Sequence, residues 1–240
     1  GFLYPEIQLD QCIDCGACEK VCPVLHPADT CYPLEVYAAR NRDETVRMNS
    51  SSGGVFTALA EEIIRRGGVV FGASFNEDWQ VVHSFTEQLE GLAAFRGAKY
   101  VQSMIGDAYL QVRRFLRQNR CVLFSGTPCQ VAGLKHFLRR DYERLLTVDV
   151  VCHGVPSPLV WQTYLDSINP QKARITTLSM RDKREGWKRY GMNIQTDNAI
   201  LYRGKAASNL YSQGYLDNLY LRPSCYACPA KKGRSHSDIT

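Results

Sequence analysis

The run Cys12-Ile-Asp-Cys15-Gly-Ala-Cys18-Glu-Lys-Val-Cys22-Pro23 leaves the start of this chain little freedom. Residues 1–31 carry little hydrophobic periodicity and cannot bury much of a core, so a small module organised by its metal is expected there. Thiolates spaced by two residues converge from a tight loop, Gly16 lets the backbone approach closely, and Pro23 ends the loop. The spacing is that of bacterial ferredoxins, in which the fourth cysteine ligates the other cluster of a pair. Zinc sites usually part their cysteine pairs by a longer loop, so a 4Fe–4S cluster is the expectation over zinc. No partner run is present. The segment Gly1–Asp10, with Tyr4-Pro5-Glu6, is like the spacer between two such runs, which places a first cluster motif upstream of this chain. Cys12, Cys15 and Cys18 then share a cluster with a missing ligand and Cys22 is left over. The alternative is that Cys22 or Cys31 folds back as the fourth ligand.

The chain holds ten cysteines in 240 residues. Without a signal peptide, that count points to metal or redox chemistry rather than a disulfide scaffold, and to a cytoplasmic protein. No stretch approaches the ~18 apolar residues of a membrane span, and the first residue is Gly rather than Met. The net charge is +5, and the basic residues are spread out apart from Lys231, Lys232 and Arg234. Nucleic acid is therefore not the expected partner. An anionic cofactor or an acidic electron-transfer partner suits the charge.

Beyond a linker at Cys31-Tyr32-Pro33 the pattern changes. Strands are expected at Val36–Arg40, Val69–Phe75, Gln80–Phe85, Cys121–Ser125 and Leu145–Cys152, and weaker ones at Ile175–Met180 and Met192–Thr196. Helices are expected after Gly53-Gly54 up to Gly67-Gly68, over Asp107–Gln118, after Pro128, and over Pro158–Ile168. Residues 211–240 read as loop-rich. Strands alternating with helices give an α/β fold with a mostly parallel or mixed central sheet and flanking helices, plus the small N-terminal ferredoxin-like iron–sulfur module.

Cys129 follows a strand and a Gly-Thr-Pro turn, with Thr127 as helix N-cap and Pro128 at the first helical position. There the helix dipole favours a thiolate. Cys152 ends the next strand. Ligands gather at the carboxyl ends of strands in such sheets, so Cys129 and Cys152 share one edge. Cys225-Tyr-Ala-Cys228 supplies two thiols and needs two more. A shared cluster with Cys129 and Cys152 is expected; the other reading buries the two sheet cysteines and leaves the CxxC to zinc or a redox pair. Cys121 starts its strand at the opposite edge and reads as a core cysteine. Ser50-Ser51-Ser52-Gly53-Gly54 opens a helix in a manner suited to an anion. Together with Gly97–Ser103, the Gly126–Gln130 turn and His153–Ser157, it suggests a bound cofactor such as a flavin.

Ser51-Ser52-Gly53-Gly54-Val55-Phe56, Lys99-Tyr100-Val101-Gln102-Ser103, Gly126-Thr127-Pro128-Cys129-Gln130, Cys152-His153-Gly154-Val155-Pro156-Ser157, Cys225-Tyr-Ala-Cys228 and Ser237-Asp238-Ile239 resemble, in combination and order, the coenzyme F420 hydrogenase/dehydrogenase beta-subunit family. The resemblance implies FAD in the α/β domain with 4Fe–4S clusters nearby. It implies that Ser51, Ser52, Gly53, Gly54, Lys99, Gln102, Gly126 and Thr127 border FAD. Cys129, Cys152, Cys225 and Cys228 would hold the cluster beside it, and His153 would assist proton delivery. Cys12, Cys15, Cys18 and Cys22 become the electron inlet. Residues 1–33 are then a partial ferredoxin-like 4Fe–4S module. Residues 34–240 are a flavin-binding beta-subunit domain, with a subdivision near 120 and a truncated C-terminus. The likeness is to a fragment lacking both termini.

The expected activity is that of an iron–sulfur flavoprotein oxidoreductase. It passes electrons between clusters and FAD and exchanges hydride with the deazaflavin F420 or a similar small-molecule acceptor. The expected partners are ferredoxin or a redox subunit, with room for a homo-oligomer. The rivals are a non-enzymatic electron-transfer subunit of a larger hydrogenase or dehydrogenase complex, and a zinc-stabilised binding protein.

Overall fold

A computed structural model of the chain describes residues 1–26, 35–232 and 236–240. Cys31 and the linker around it lie outside the described residues. Among its described residues, the Cys-rich start holds one short helix, α1 (Ala17–Lys20), which is entered through Gly16 at φ 63°. That left-handed turn is where a glycine is needed.

The strand expected at Val36–Arg40 does not form. Val36 and Tyr37 are exposed, and the segment lies along the Gly53-Gly54 turn instead. Asn41 N–H donates to the Gly53 carbonyl at 2.7 Å, and Asn41 Nδ2 donates to the Gly54 carbonyl at 3.2 Å. No strand among the described residues pairs with it, so its β-propensity has no ladder to join. A short helix follows, α2 (Glu44–Asn49), capped by Asp43, whose Oδ1 accepts the Val46 N–H at 3.0 Å.

The central sheet then forms from α3 (Val55–Arg65), β1 (Val69–Phe75), β2 (Val81–Thr86), α4 (Ala108–Arg117), β3 (Val122–Gly126), α5 (Pro128–Leu138) and β4 (Leu145–Asp149). Its order is β2-β1-β3-β4. β1, β3 and β4 run parallel, and β2 returns antiparallel with Phe71 opposite Phe85 and Ala73 opposite His83. The apolar runs of β1 and β3 are buried on both faces, as a parallel sheet requires. Val69, Phe71, Val122 and Phe124 pack against Val112 and Phe115 of α4 and Leu134 and Leu138 of α5. Val70 and Leu123 face the other way, against Ala60 of α3. The Ser237-Asp238-Ile239 tail closes the β4 edge. Asp149 N–H donates to the Ile239 carbonyl at 2.9 Å, and Asp238 Oδ2 accepts from Thr147 N–H and Oγ1 at 2.7 and 2.6 Å.

A second sheet follows α6 (Pro158–Ile168). It consists of β5 (Ile175–Asp182), β6 (Gly191–Thr196) and β7 (Ile200–Lys205), all antiparallel. The last of these was not foreseen. Next comes α7 (Leu210–Leu216), inside the stretch expected to be loop. Trp161 and Leu165 of α6 join the two sheets by packing between Val81 and the Met180, Met192 and Ile194 side chains. Full burial of each such side chain contributes about 1.5–3 kcal/mol. Trp161 Nε1 donates to the Trp79 carbonyl at 2.8 Å, so its one polar atom is satisfied. No helix among the described residues is long and apolar enough to cross a membrane.

Candidate functional site

The carboxyl ends of β3 and β4 carry Cys129 and Cys152. Thr127 caps α5 and Pro128 sits at its first position, so Cys129 lies in the first turn. β4 stops at Asp149, short of the expected Cys152, because its last partner, Gly126, ends β3. Val150 and Val151 are exposed, and Cys152 stands in the loop after them.

That loop brings in the CxxC. Pro156 bridges Leu221, Ser157 N–H donates to the Tyr220 carbonyl at 3.1 Å, and Arg222 N–H donates to the Val155 carbonyl at 2.9 Å. Gly154, at φ 147°, permits the contact: a Cβ there would stand 2.8 Å from Leu221 Cδ1 and 3.4 Å from Cys225 Cβ. Cys225 and Cys228 thereby come close enough for their charges to act on both sheet cysteines. Burial pushes the Cys129 thiol up, the Cys228 and Cys225 charges push it further, and the Thr127 hydrogen bond and Arg222 oppose them. Burial, then the Cys129 charge, pushes Cys152 up to about 12. The helix dipole expected to favour a Cys129 thiolate is therefore outweighed by desolvation. A bound cationic centre reverses this balance, since a coordinating thiol is deprotonated outright.

Among the described residues, no three His, Cys, Asp or Glu side chains gather about one ion-sized point. The cysteine quartet is a set of soft sulfur donors within electrostatic reach of one another but not convergent on one atom. Four soft sulfur donors within electrostatic reach of one another suit an iron–sulfur cluster by their chemistry. Cys12, Cys15 and Cys18 are exposed and Cys22 is half-buried. Cys121 is half-buried rather than a core residue: it precedes β3, and its Sγ accepts from Arg144 Nη1 at 3.6 Å. His153 is exposed, with its ring edge-on to Tyr215 at 5.1 Å.

The residues expected around FAD divide into two groups. Ser51, Ser52, Gly53 and Gly54 lead into α3, whose N-cap, Gly54, has no side-chain cap. Gly53 is fitted to the backbone beside it: a Cβ would stand 2.8 Å from the Ala39 carbonyl oxygen. Lys99 donates to the Arg96 carbonyl at 3.0 Å, and burial lowers it to about 8. Lys183, only 4% exposed, donates to the Arg47 and Ser50 carbonyls beside this turn. Burial and the charges of Arg181 and Arg47 lower its pKa. Arg181 reaches Tyr100 Oη at 3.3 Å and stacks over Trp187 and Tyr190. Arg181 and Lys183 were not singled out from the sequence. Their run, Met180-Arg181-Asp182-Lys183-Arg184, is a basic strand end, and only the second sheet's docking brings it to the serine turn.

The second group is already engaged. Gln102 is buried and bonded to Leu3 through both amide atoms, each at 2.9 Å. Gly126 is crowded, since a Cβ would lie 3.1 Å from Gln130 Oε1 and 3.2 Å from Phe124 Cε1. Thr127 N–H donates to Gln130 Oε1 at 2.9 Å. The cationic turn and the cysteine edge are joined by aromatic rings: Tyr100 stacks on Tyr215 at 5.0 Å, and Tyr215 meets His153. A cavity of about 350 Å³ lies elsewhere, lined by Asn169, Arg174 and Asp197 among others.

Residues 4–27 match a 4Fe-4S binding domain, a segment that contains Cys12, Cys15, Cys18 and Cys22. Residues 36–109 match the coenzyme F420 hydrogenase/dehydrogenase beta subunit N-terminal region, and residues 119–240 the C terminus of the same subunit. The two matches part between 109 and 119, yet β1 and β3 on either side are parallel neighbours in one sheet. Comparison with curated proteins gave no match. Among solved structures, the chain is similar in fold to a chain of the xenon-derivatised F420-reducing NiFe hydrogenase complex from Methanosarcina barkeri. The TM-score is 0.51 at 16% identity, over 79% of this chain and 63% of that one. The chain thus spans less than two thirds of that relative. With matches to both regions of the subunit over most of its length, the chain belongs to the coenzyme F420 hydrogenase/dehydrogenase beta-subunit family.

Proposed function

We propose that this chain is an iron–sulfur flavoprotein subunit that passes electrons between 4Fe–4S clusters and FAD and exchanges hydride with F420 or a similar acceptor. The observation that carries the reading is the joining of two sites, the cysteine quartet and the cationic serine turn, through Tyr100, Tyr215 and His153. When bound, the clusters supply one-electron transfer and the flavin two-electron hydride chemistry. The protein's own part is to hold and tune them.

Cys12, Cys15, Cys18 and Cys22 are the electron inlet, and Cys129, Cys152, Cys225 and Cys228 hold the second cluster. Ser51, Ser52, the first turn of α3, Lys99, Arg181 and Lys183 take the pyrophosphate, since Lys183 is a buried cation among cations and lacks only an anion. Gln102, Gly126 and Thr127 border the flavin from the cysteine side as packed walls, since the Gln102 side chain and the Gln102 and Thr127 N–H groups are already engaged. His153, exposed beside Cys152, delivers protons. The inlet forms one unit and residues 34–240 a second. Ferredoxin or a redox subunit supplies the electrons.

The filled surroundings of Gln102 and Gly126 favour one rival, a cluster-only electron-transfer subunit. Anaerobic reconstitution of the full-length protein with iron, sulfide and FAD separates the two. The flavoprotein reading expects retained flavin absorption over a broad iron–sulfur shoulder, and flavin reduction by at least one of F420, NAD(P)H or reduced ferredoxin. Clusters without flavin after gentle purification would sink it and leave the rival.

A further inference from the structure

A continuous chain of hydrogen bonds runs from inside the sheet to the Cys129 sulfur. It begins at His83 on β2, a buried ring stacked on Phe124 of β3 with centroids 5.4 Å apart. His83 Nε2 lies 3.1 Å from the Ser125 carbonyl oxygen, and Nδ1 lies 3.0 Å from Ser103 Oγ. A carbonyl only accepts, so Nε2 carries the proton, Nδ1 accepts, and the Ser103 hydroxyl donates. The Ser103 oxygen then accepts from Gln130 Nε2 at 2.7 Å. That contact orients the Gln130 amide, with its nitrogen toward Ser103 and its oxygen toward Thr127. Gln130 Oε1 takes the Thr127 N–H at 2.9 Å and lies 3.1 Å from Thr127 Oγ1, which is itself 3.1 Å from Cys129 Sγ.

Every link has a fixed direction except the two made by the Thr127 hydroxyl. The Thr127 hydroxyl has one proton and two acceptors. While Cys129 keeps its own proton, the thiol donates to Thr127 Oγ1 and the hydroxyl donates to Gln130. Once Cys129 is a metal-bound thiolate, it can only accept, and the hydroxyl turns to it. Gln130 Oε1 is not orphaned by the turn, because it retains the Thr127 N–H. A helix cap alone would need only Thr127 and Gln130. It leaves unexplained a buried histidine and serine that extend the chain inward and fix which way the amide faces.

The geometry points to His83, Ser103 and Gln130 as positioning residues that fix Gln130 Oε1 as the acceptor competing with the Cys129 thiolate for the Thr127 hydroxyl proton, and so limit how far that hydroxyl raises the reduction potential of a cluster bound through Cys129. This rests on the reading of Cys129 as a cluster ligand. A hydrogen bond to a ligating sulfur favours the more negative, reduced cluster, and such outer bonds are a main control on potential.

The test is an EPR-monitored redox titration of the full-length protein, reconstituted anaerobically with iron and sulfide. The signal to follow is the one that Cys129→Ala abolishes or alters. Thr127→Val is expected to shift its potential to more negative values and Thr127→Ser to restore it, whereas Ser103→Ala, which loosens the competing amide oxygen, is expected to shift it to less negative values. In the double variant, Ser103→Ala is expected to add nothing to Thr127→Val, because it acts only through that hydroxyl. A Ser103→Ala potential equal to the wild type, or a shift that persists in full in the Thr127→Val background, would overturn the relay while leaving the ligand reading intact. Cluster signals wholly indifferent to Cys129→Ala would instead remove the ligand reading and the relay with it. In the protein without clusters, His83 ¹⁵N chemical shifts give a second check: the Nε2-protonated tautomer is expected, and the Nδ1-protonated one breaks the chain at its first link.

Discussion

Gln102 clasps Leu3 across 99 positions of sequence: its Oε1 accepts the Leu3 N–H and its Nε2 donates to the Leu3 carbonyl, each at 2.9 Å. Two further contacts fasten the same segment. Ser157 Oγ donates to the Gly1 carbonyl at 3.1 Å, and the Arg222 guanidinium lies 4.6 Å from the Tyr4 ring centroid. Ser157 and Arg222 belong to the two loops that present Cys152 and Cys225. The segment leading into the N-terminal cysteines is therefore pinned against the loops that carry Cys152 and Cys225.

Cutting this clasp has a predictable cost. Gln102→Ala removes two hydrogen bonds worth about 0.5–1.5 kcal/mol each. Hydrogen exchange at Leu3 and its neighbours is expected to accelerate while β1 and β3 keep their protection. Gln102→Glu is the sharper variant, because it retains one acceptor but sets a carboxylate oxygen against the Leu3 carbonyl. It is expected to release the segment at neutral pH and to recover partly in acid. Unchanged exchange at Leu3 in both variants would show that the clasp holds nothing.

Gly154 is the hinge on which the CxxC reaches the sheet. Gly154→Ala forces a left-handed-side backbone on an L residue and drives a methyl into Leu221, at a cost of about 1–3 kcal/mol. The expected relief is a shift of the 220–225 loop away from Cys152, which parts the quartet without touching the main core. Iron and labile sulfide bound per chain after reconstitution are expected to fall, while the far-UV circular dichroism stays as in the wild type. Full iron loading in Gly154→Ala would break the link between this contact and the cluster site.

Much of the fold follows from local pattern. β1 and α6 have the expected bounds because β1 is an apolar run that starts after Gly67-Gly68 and α6 starts at a Ser157 cap with Pro158 in its first turn. The shared edge of Cys129 and Cys152 was legible because parallel topology sends all carboxyl ends one way. What could not be read depends on partners distant in sequence. Val36–Arg40 has strand-like residues but no free ladder. β7 mixes exposed Ile200 with Arg203 and Lys205, so alternation is faint. Arg181 and Lys183 become site residues only when the second sheet docks, and Gln102 is engaged by a residue 99 positions away.

His83 gives stability a pH dependence of definite sign. Burial lowers its pKa from 6.5 to about 4, and the Ser125 carbonyl opposes this only in part. Between those values the unfolded chain binds a proton that the folded one refuses. The contribution is therefore complete above pH 6.5 and is lost as pH falls toward 4, reaching about 3 kcal/mol. Urea midpoints of the wild type are expected to drop through this window more steeply than those of His83→Gln, which cannot take up the proton. Parallel curves for the two proteins would show that His83 takes up its proton equally in the folded and unfolded states, against a burial effect.

Lys183 separates stability from binding. Its ammonium is buried, it donates to two backbone carbonyls, and the neighbouring charges acting on it are positive. Holding such a cation without an anion is unfavourable, so Lys183→Met relieves repulsion as it removes hydrogen bonds. The stability of the flavin-free protein is expected to change by less than about 1 kcal/mol. FAD affinity is expected to fall by about tenfold or more, equivalent to ~1.4 kcal/mol. Riboflavin, which lacks phosphate, should bind wild type and variant alike, and this comparison assigns the loss to the pyrophosphate. Fluorescence titrations with both flavins decide it: an equal loss for riboflavin and FAD would mean that Lys183 shapes the turn rather than meeting the phosphate.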